Sequence, residues 1–409
     1  MRRPQDHFTG RHYDADHSTG PLKSLNPTKR YMVAEKKPID AHETGKDQQP
    51  AQPAGQAPKV VYVWRSRDNR KGRHALAIDV DPEKHDSTNS PKPTNTLDRT
   101  LGGIVKMLLR YPVWDVSYDV AVIFTIGSII WVVNGFFSWL PVQDPSTKFP
   151  GETDWAAGLT ALTGATVFEA GSVLLMLEAV NENRSDCFGW AVEETLDGVL
   201  HLNPTHNCKH SHSQRRTFIE AKSVDQVQPE QRPPKSSEDG RTWSWWPTWY
   251  ELRTHYFREI GFLACSSQMF GATVFWISGF TALPPILNNL STPALNGIYW
   301  LPQVIGGTGF IVSGALFMLE VQPRWYIPAP GVLGWHIGLW NLIGAIGFTL
   351  CGALGFGMTQ PGVEYALTLS TFIGSWAFLI GSVVQWFESL NKYPIWVDKK
   401  VRRFGPQSD

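Results

Sequence analysis

Long apolar runs alternate with polar stretches over most of this 409-residue chain. From Gly261 to Leu319, and again from Trp325 to Val363, the sequence contains no Asp, Glu, Lys or Arg. A soluble core does not require runs of this length, whereas helices that cross a bilayer do. Six segments are long enough to cross about 30 Å of hydrocarbon. They cover residues 119–140, 157–179, 261–283, 300–321, 333–357 and 366–388.

These segments predict an all-α integral membrane protein with six transmembrane helices arranged as three tandem helical hairpins. The hairpins occupy residues 113–180, 259–322 and 323–392. Residues 1–112 form a polar cytoplasmic tail, which we expect to be mostly disordered because residues 1–58 are rich in Pro, Gln, Lys, Asp and His. Within it, residues 60–64 and 74–80 predict a small strand pair around a basic turn. Residues 181–258 are a cytoplasmic linker, and residues 393–409 a cytoplasmic tail.

Charge sets the expected orientation of the helices. The chain has 37 Lys and Arg against 37 Asp and Glu, a balance that argues against a nucleic-acid binder. Basic residues collect before the first span, after the second and fourth spans and behind the sixth, whereas the other three loops contain a single Lys or Arg, Lys148. By the positive-inside rule, both termini face the cytoplasm.

The second, fourth and sixth spans share a pattern, Gly-x3-Phe-x2-[Gly/Ser]-x6-Glu. Its three copies are Gly164, Phe168, Gly171, Glu178; Gly306, Phe310, Ser313, Glu320; and Gly374, Phe378, Gly381, Glu388. Seven helical residues turn through nearly two full turns, so the small residues and the Glu lie along one face. Small residues let helices approach closely in lipid. The pattern therefore predicts a triplicated hairpin whose Gly and Ser positions are helix-packing residues.

The last of these units also carries a family signature. Its two helices, WNLIGAIGFTLCGALGF and TFIGSWAFLIGSVVQWFESLNKYP, resemble the YrhK-like two-helix membrane domain, and spans two and four look like degenerate copies. The resemblance covers the spans only and implies an architecture without an assigned activity. The long polar N-terminus and the triplication are similar to multi-pass membrane proteins of filamentous fungi.

Glu169 is the only Asp, Glu, Lys or Arg near the middle of a predicted span. A charge at that depth costs at least about 2.5 kcal/mol and usually faces a bundle interior. Counting the helical rise puts Ser128 of the first span at a similar depth. Two interpretations stay open. Glu169 and Ser128 form an intramembrane proton or cation relay, or a protonated Glu169 holds one hairpin together by a hydrogen bond to Ser128 or to a backbone carbonyl.

The three repeat carboxylates, Glu178, Glu320 and Glu388, end their helices, where the helix dipole disfavours negative charge. Each therefore needs a compensating cation. Arg324 and Lys392 follow Glu320 and Glu388 by four residues, the favourable order for a helical ion pair. For Glu178 the candidates are Arg110 and Arg184. Interfacial ion pairs are the preferred interpretation, and a three-carboxylate gate is the alternative.

Two features of the 181–258 linker suggest specific structure. Residues 187–202 place Phe188, Val192 and Leu196 on one face, which predicts an amphipathic helix on the membrane surface or on the bundle. Further on, the weak metal-ligand candidates are His206, Cys208, His210 and His212. Their spacing matches no closed zinc motif, so we expect a solvated loop and no bound metal or cofactor.

The sequence contains no phosphate-binding loop, metalloprotease motif or convincing nucleophile triad, so we do not expect an enzyme. The favoured function is a non-enzymatic structural, scaffolding or sensing membrane protein. Its expected partners are the lipid bilayer and either a second copy of the chain or a cytoplasmic protein. The alternative is a small-solute, proton or cation transporter that uses Glu169.

Overall fold

The computed structural model describes residues 18–32, 60–78, 93–94, 96–200 and 243–397. Six of its helical segments are long and apolar enough to cross a membrane. They are Val116–Gln143, Glu152–Val180, Ile260–Thr281, Thr292–Val321, Leu333–Gly355 and Val363–Leu390. Each overlaps one predicted span, and the largest differences are extra turns of helix at the ends.

The helices of the described residues, numbered in chain order, are α1 (Ser66–Arg70), α2 (Leu97–Leu109), α3 (Val116–Gln143), α4 (Ala157–Val180), α5 (Phe188–Leu200), α6 (Trp249–Thr254), α7 (Ile260–Thr281), α8 (Pro284–Leu287), α9 (Thr292–Leu295), α10 (Leu301–Val321), α11 (Leu333–Gly355) and α12 (Val363–Leu390). Short π-helical turns lead into α4 and α10. The strands are β1 (Lys29–Met32), β2 (Val60–Arg65), β3 (Ala75–Ile78) and β4 (Ile395–Val397).

The six long helices form a closed ring. Each packs against the helix before it and the helix after it, and α12 closes the ring by packing against α3. The order around the ring is therefore α3, α4, α7, α10, α11 and α12. Helices α10 and α11, which belong to different predicted hairpins, pack as extensively as α11 and α12, which share one. Two helices of one predicted hairpin therefore do not pack more extensively than neighbouring helices of different hairpins, and the six helices pack as one ring.

Small residues allow the helices to approach closely. A β-carbon at Gly306 of α10 would lie 2.7 Å from the carbonyl oxygen of Gly271 in α7. A β-carbon at Gly374 of α12 would lie 2.9 Å from the carbonyl oxygen of Gly344 in α11. The remaining predicted packing residues, Gly164, Gly171, Ser313 and Gly381, are all buried. At Gly306 and Gly374 the close approach of another backbone leaves no room for a side chain.

An aromatic layer fills the middle of the ring. Each of the six long helices contributes one buried aromatic side chain to this layer: Trp131, Phe168, Phe275, Phe310, Phe348 and Phe378. Trp131 and Phe348 lie edge to face with centroids 4.9 Å apart, and Phe348 lies 5.3 Å from Phe378. Such geometry is favourable for aromatic pairs. The layer closes the ring across its centre.

A four-stranded sheet lies at one end of the ring, so the expected all-α fold is corrected: the sheet is larger than the predicted strand pair. Strands β1, β2 and β3 are antiparallel neighbours, and β4 pairs parallel to β3. The predicted strand pair is confirmed as β2 and β3, but β1 and the turn before it lie within the stretch expected to be disordered. We call β1–β4 together with residues 66–73 the terminal module, because it joins segments from before the first span and after the last.

Substitution of Gly306 by Ala tests the close approach of α7 and α10. The added methyl group meets the carbonyl of Gly271, which belongs to the backbone and cannot rotate away, so we expect a loss of about 1–3 kcal/mol in stability. Thermal unfolding in detergent measures it. The matched control is Gly297→Ala, where a β-carbon meets nothing within 4 Å. Equal stability of the two variants would contradict the packing described here.

Candidate functional site

The terminal module inserts a short basic segment, residues 66–73, into one end of the ring. The segment connects β2 to β3 and contains the single turn of α1. Gly72 adopts a left-handed backbone conformation (φ 59°), which lets the chain reverse toward β3. Its four cationic side chains are all buried: Arg67, Arg70, Lys71 and Arg73.

The three repeat carboxylates meet this segment. Glu178, Glu320 and Glu388 lie in the last turns of α4, α10 and α12, at the same end of the ring. Each is at most 2% exposed. Alternate helices of the ring run in the same direction, so equivalent positions on them lie at the same level around the central axis of the ring.

Arg70 bridges two of the three carboxylates. Its Nη1 lies 2.7 Å from Oε1 of Glu178, and its Nη2 lies 2.9 Å from Oε2 of Glu320. Lys71 lies 3.5 Å from the second oxygen of Glu178. The hydroxyl of Ser66 donates to Glu320 at 2.9 Å. One turn of the basic segment therefore joins α4 to α10.

The third carboxylate, Glu388, pairs with two other arginines. Arg67 Nη2 lies 2.7 Å from one of its oxygens, and Arg73 Nη1 lies 2.9 Å from the other. Arg73 also pairs with Asp68 at 2.8 Å. We call these eight side chains the charge cluster. It contains four cations and four carboxylates, namely Arg67, Arg70, Lys71 and Arg73 with Asp68, Glu178, Glu320 and Glu388.

The ionisation of the basic segment depends on two opposing effects, burial and the nearby carboxylates. Burial alone would lower the pKa of Arg70, but the carboxylate of Glu320 beside it raises the pKa above its ordinary value. Burial and the charge of Glu388 act in the same opposing ways on Arg67, whose pKa is also raised. For Lys71 burial prevails and lowers the pKa to about 8, despite the nearby charge of Glu178. Both arginines therefore stay charged, and Lys71 is the titratable member of the segment.

Small residues at the starts of the odd-numbered spans make room for the basic segment. A β-carbon at Gly261 of α7 would lie 2.3 Å from Oε1 of Glu320. A β-carbon at Gly334 of α11 would lie 2.5 Å from Nε of Arg67. The equivalent residue of α3 is the fully buried Ser117. The ring is thus shaped to admit these guanidinium groups.

A small cavity separates the charge cluster from the aromatic layer. Its volume is about 30 Å³, which is room for roughly one or two water molecules. Arg67 and Arg70 line one side, and Phe168 and Phe378 line the other. Its polar walls come from Ser128, Gln268, Asn341, Ser382 and Gln385. A solute larger than water does not fit there.

The predicted local ion pairs of the repeat carboxylates are wrong. Arg324, expected beside Glu320, instead donates to the hydroxyl of Tyr326. Lys392, expected beside Glu388, pairs with Asp115 at 2.5 Å.

The cations expected beside Glu178 do not reach it either. Arg110 and Arg184 lie elsewhere, and Arg70 with Lys71 takes their place. The sequence signal that was missed is RSRDNRKGR, a concentration of cations between two apolar strands. These cations pair with the three glutamates of the repeat, which have no cation nearby in the sequence that reaches them.

Glu169 and Ser128, the candidate relay, are not brought together. The Ser128 hydroxyl lines the small cavity and donates to the carbonyl of Phe124 at 2.7 Å. Glu169 lies in the outer crevice between α4 and α7, where it accepts a hydrogen bond from exposed Thr273 at 2.9 Å. Its second oxygen is buried without a partner. Glu169 therefore faces the outside of the ring and not its interior.

The linker features divide between described and undescribed residues. The amphipathic helix is confirmed as α5 (Phe188–Leu200), and Phe188 packs against Trp243 and Trp245 at the end of the bundle. The candidate metal ligands His206, Cys208, His210 and His212 lie outside the described residues. Among the residues that the structure does describe, no group of three His, Cys, Asp or Glu side chains could hold a metal ion.

Comparison with known proteins adds no relative. No protein family, curated protein or solved structure matches this chain. The resemblance of the last unit to the YrhK-like domain therefore stays a prediction.

A further buried carboxylate lies beside the charge cluster. Glu259, immediately before α7, accepts a hydrogen bond from Asn26 of the N-terminal segment at 2.5 Å. Burial and the neighbouring Glu182 raise the pKa of Glu259 to about 7. His255, 3.7 Å from Glu182, also has a raised pKa: burial opposes its charge, but the nearby carboxylate of Glu182 outweighs burial.

We expect the stability of the fold to fall as pH rises from about 5 to about 8 because of Glu259. A group whose pKa is higher in the folded state stabilises fully below its unfolded pKa, and that contribution is lost as pH rises through the folded value. His255 acts with the same sign. Glu259→Gln should flatten the pH dependence of thermal unfolding in neutral detergent. The exposed Glu364→Gln serves as control, and an unchanged slope in Glu259→Gln would refute the assignment.

Arg70→Met tests the charge cluster. It leaves Glu178 short of one partner and Glu320 without its arginine, and breaking a buried pair in this way costs about 3–5 kcal/mol. The double variant Arg70→Met, Glu320→Gln should recover part of the loss, because it removes the uncompensated charge. Thermal unfolding in detergent measures both, beside Arg253→Met at an exposed position. Equal losses for Arg70→Met and Arg253→Met would mean that the cluster contributes nothing.

Proposed function

We propose that this protein is a non-enzymatic membrane scaffold whose helical ring holds its own terminal segments as a fixed module at the cytoplasmic surface. The observation that carries the proposal is the charge cluster. One segment from before the first span neutralises carboxylates from the second, fourth and sixth spans. An arrangement of this kind couples the ring to the module and leaves neither free to move alone.

Membrane insertion with both termini in the cytoplasm is part of the proposal. The length and apolar composition of the six helices support insertion. The end of the ring that carries the terminal module also carries Lys106, Arg110 and Lys392, whereas the loops at the other end contain a single Lys or Arg, Lys148. By the positive-inside rule, this distribution supports a cytoplasmic module.

We further propose that the ring derives from three copies of one hairpin, each resembling the YrhK-like domain. Equivalent positions supply the same kind of group in each unit. The odd-numbered spans give Trp131, Phe275 and Phe348 to the aromatic layer, and the even-numbered spans give Phe168, Phe310 and Phe378. The even spans also give the three glutamates of the charge cluster. A sequence repeat that recurs as a repeat of contacts supports common ancestry of the units.

Transport through Glu169 is the second candidate function. It is favoured by the buried Glu169 oxygen that lacks a hydrogen-bond partner, since a proton or cation would satisfy it. The closed aromatic layer and the small central cavity favour the scaffold instead. A transporter would need either a path along the outer crevice of α4 and α7 or a large opening of the ring.

Flux and hydrogen exchange in proteoliposomes separate the two functions. For a scaffold, proton and potassium flux should equal that of empty liposomes, both for the wild type and for Arg67→Gln, Arg70→Gln, since the aromatic layer still closes the ring. Amides of residues 60–78 should exchange as slowly as those of the ring helices. Rapid exchange of these residues in the wild type would overturn the fixed module.

The variant Glu169→Gln tests the transport function. A wild-type flux that this change abolishes, in a variant that unfolds at the same temperature as the wild type, would replace the scaffold with a transporter. Thr273→Val is the matched control, because it removes the hydrogen-bond donor to Glu169 and keeps the carboxyl group.

A further inference from the structure

A pocket with basic walls lies beside the first ring helix, at the same end as the terminal module. Its volume is about 410 Å³, within the range of small-molecule sites. It is bounded by α2, by the last turns of α12 around Phe387 and by the chain that leads into α3. No side chain of the charge cluster or of the aromatic layer lines this pocket.

Helix α2 supplies the charge of this pocket. Arg99 and Lys106 are seven residues apart and fall on one face of α2, and Arg110 directly follows the last turn of the helix. All three line the pocket. Within the described part of the chain, none of the three forms a salt bridge. The other basic residue of the pocket, Lys392, is neutralised by Asp115. Asp186 also lines the pocket, but Arg99, Lys106 and Arg110 outnumber it, so the concavity favours an anion.

The opposite face of α2 is apolar and uncovered. Leu97, Leu101 and Leu108 are 82%, 62% and 66% exposed. They lie together at helical spacing, with the exposed Ile104 and Val105 beside them. An amphipathic helix of this kind lies in the headgroup region of a bilayer with its apolar face toward the acyl chains. Only a few residues separate α2 from the start of α3 at Val116, so this face continues the lipid-facing surface of the ring.

Helix α2 packs closely against α12 at Gly103. A β-carbon at Gly103 would lie 2.4 Å from the ring of Phe387 in α12, so the two helices touch at Gly103. Gly103 falls between the basic residues on the same face, and the pocket opens around this contact. The contact keeps the cationic face of α2 toward the bundle and its apolar face outward.

We propose that this pocket binds one anionic phospholipid with a phosphomonoester headgroup, such as phosphatidic acid or a phosphatidylinositol phosphate. The phosphate lies against Arg99, Lys106 and Arg110, and the acyl chains follow the exposed leucines of α2. A phospholipid suits both faces of the helix, because it carries charge and hydrocarbon on the same molecule and is abundant in the bilayer beside them. The site rests on the proposed membrane insertion and is independent of the scaffold function.

The test is lipid binding by full-length protein in neutral detergent, followed by native mass spectrometry. The wild type should retain phosphatidic acid and phosphatidylinositol phosphate in preference to phosphatidylcholine. Each basic side chain near a membrane surface contributes about a fivefold gain in affinity for anionic lipid, so each of Arg99→Gln, Lys106→Gln and Arg110→Gln should weaken binding about fivefold. The triple variant should weaken it about a hundredfold, and the exposed Arg253→Gln should leave it unchanged.

Two further arms identify the ligand and its source. Leu101→Ser, Leu108→Ser should weaken the retention of phosphatidic acid without changing the weak binding of soluble glycerol phosphate. Competition by glycerol phosphate as strong as that by phosphatidic acid would show a soluble phosphate site and overturn the proposal. Equal retention of phosphatidylcholine, or full retention of anionic lipid by the triple variant, would overturn it as well. Resistance of each variant to carbonate extraction shows whether membrane insertion itself has failed.

Discussion

The burial of three glutamates at one end of the ring is the constraint on which the rest of this structure depends. A carboxylate removed from water is costly unless a cation and hydrogen bonds compensate it, and each of these three lies at a helix C-terminus, where the dipole adds to the cost. The ring helices supply no cation that reaches them. The chain solves the problem with Arg67, Arg70, Lys71 and Arg73, which enter as a group from a single loop. The position of the terminal module follows from this requirement.

Close packing and charge pairing support each other in this arrangement. Replacement of a buried ion pair by apolar residues is often neutral or stabilising, so the charge cluster is better regarded as a source of specificity than of net stability. Glycines at helix contacts set the spacing of the ring, and Gly261 and Gly334 give the arginines their space. In the observed orientation of the basic segment, every carboxylate of the charge cluster has a cationic partner. The cluster therefore defines which loop occupies the ring and how it is turned.

The sequence predicts the parts of this fold that depend on local pattern. Hydropathy locates all six long helices, alternation locates β2 and β3, and the Gly-Phe-Glu repeat selects residues that the structure buries at helix contacts, in the aromatic layer and in the charge cluster. The partners of the glutamates could not be found in this way, because helical spacing proposes only near neighbours such as Lys392. Arg67 and Glu388 are 321 positions apart. Glu169 was misjudged for a related reason: a lone carboxylate in an apolar run indicates burial but not which side of the helix faces the ring.

The long sequence separation of these pairs orders the assembly of the protein. The basic segment is synthesised before any ring helix, yet Glu388 and β4, which hold it, come at the end of the last helix and beyond. The conformational entropy lost in closing a loop of this length grows only slowly with the length of the loop. The long separation between the basic segment and Glu388 therefore affects the rate of folding more than the stability of the fold. Until α12 is in place, Arg67 and Arg73 lack Glu388 and the charge cluster is incomplete. We therefore expect the terminal module to take its final position only after the sixth helix has packed against the first.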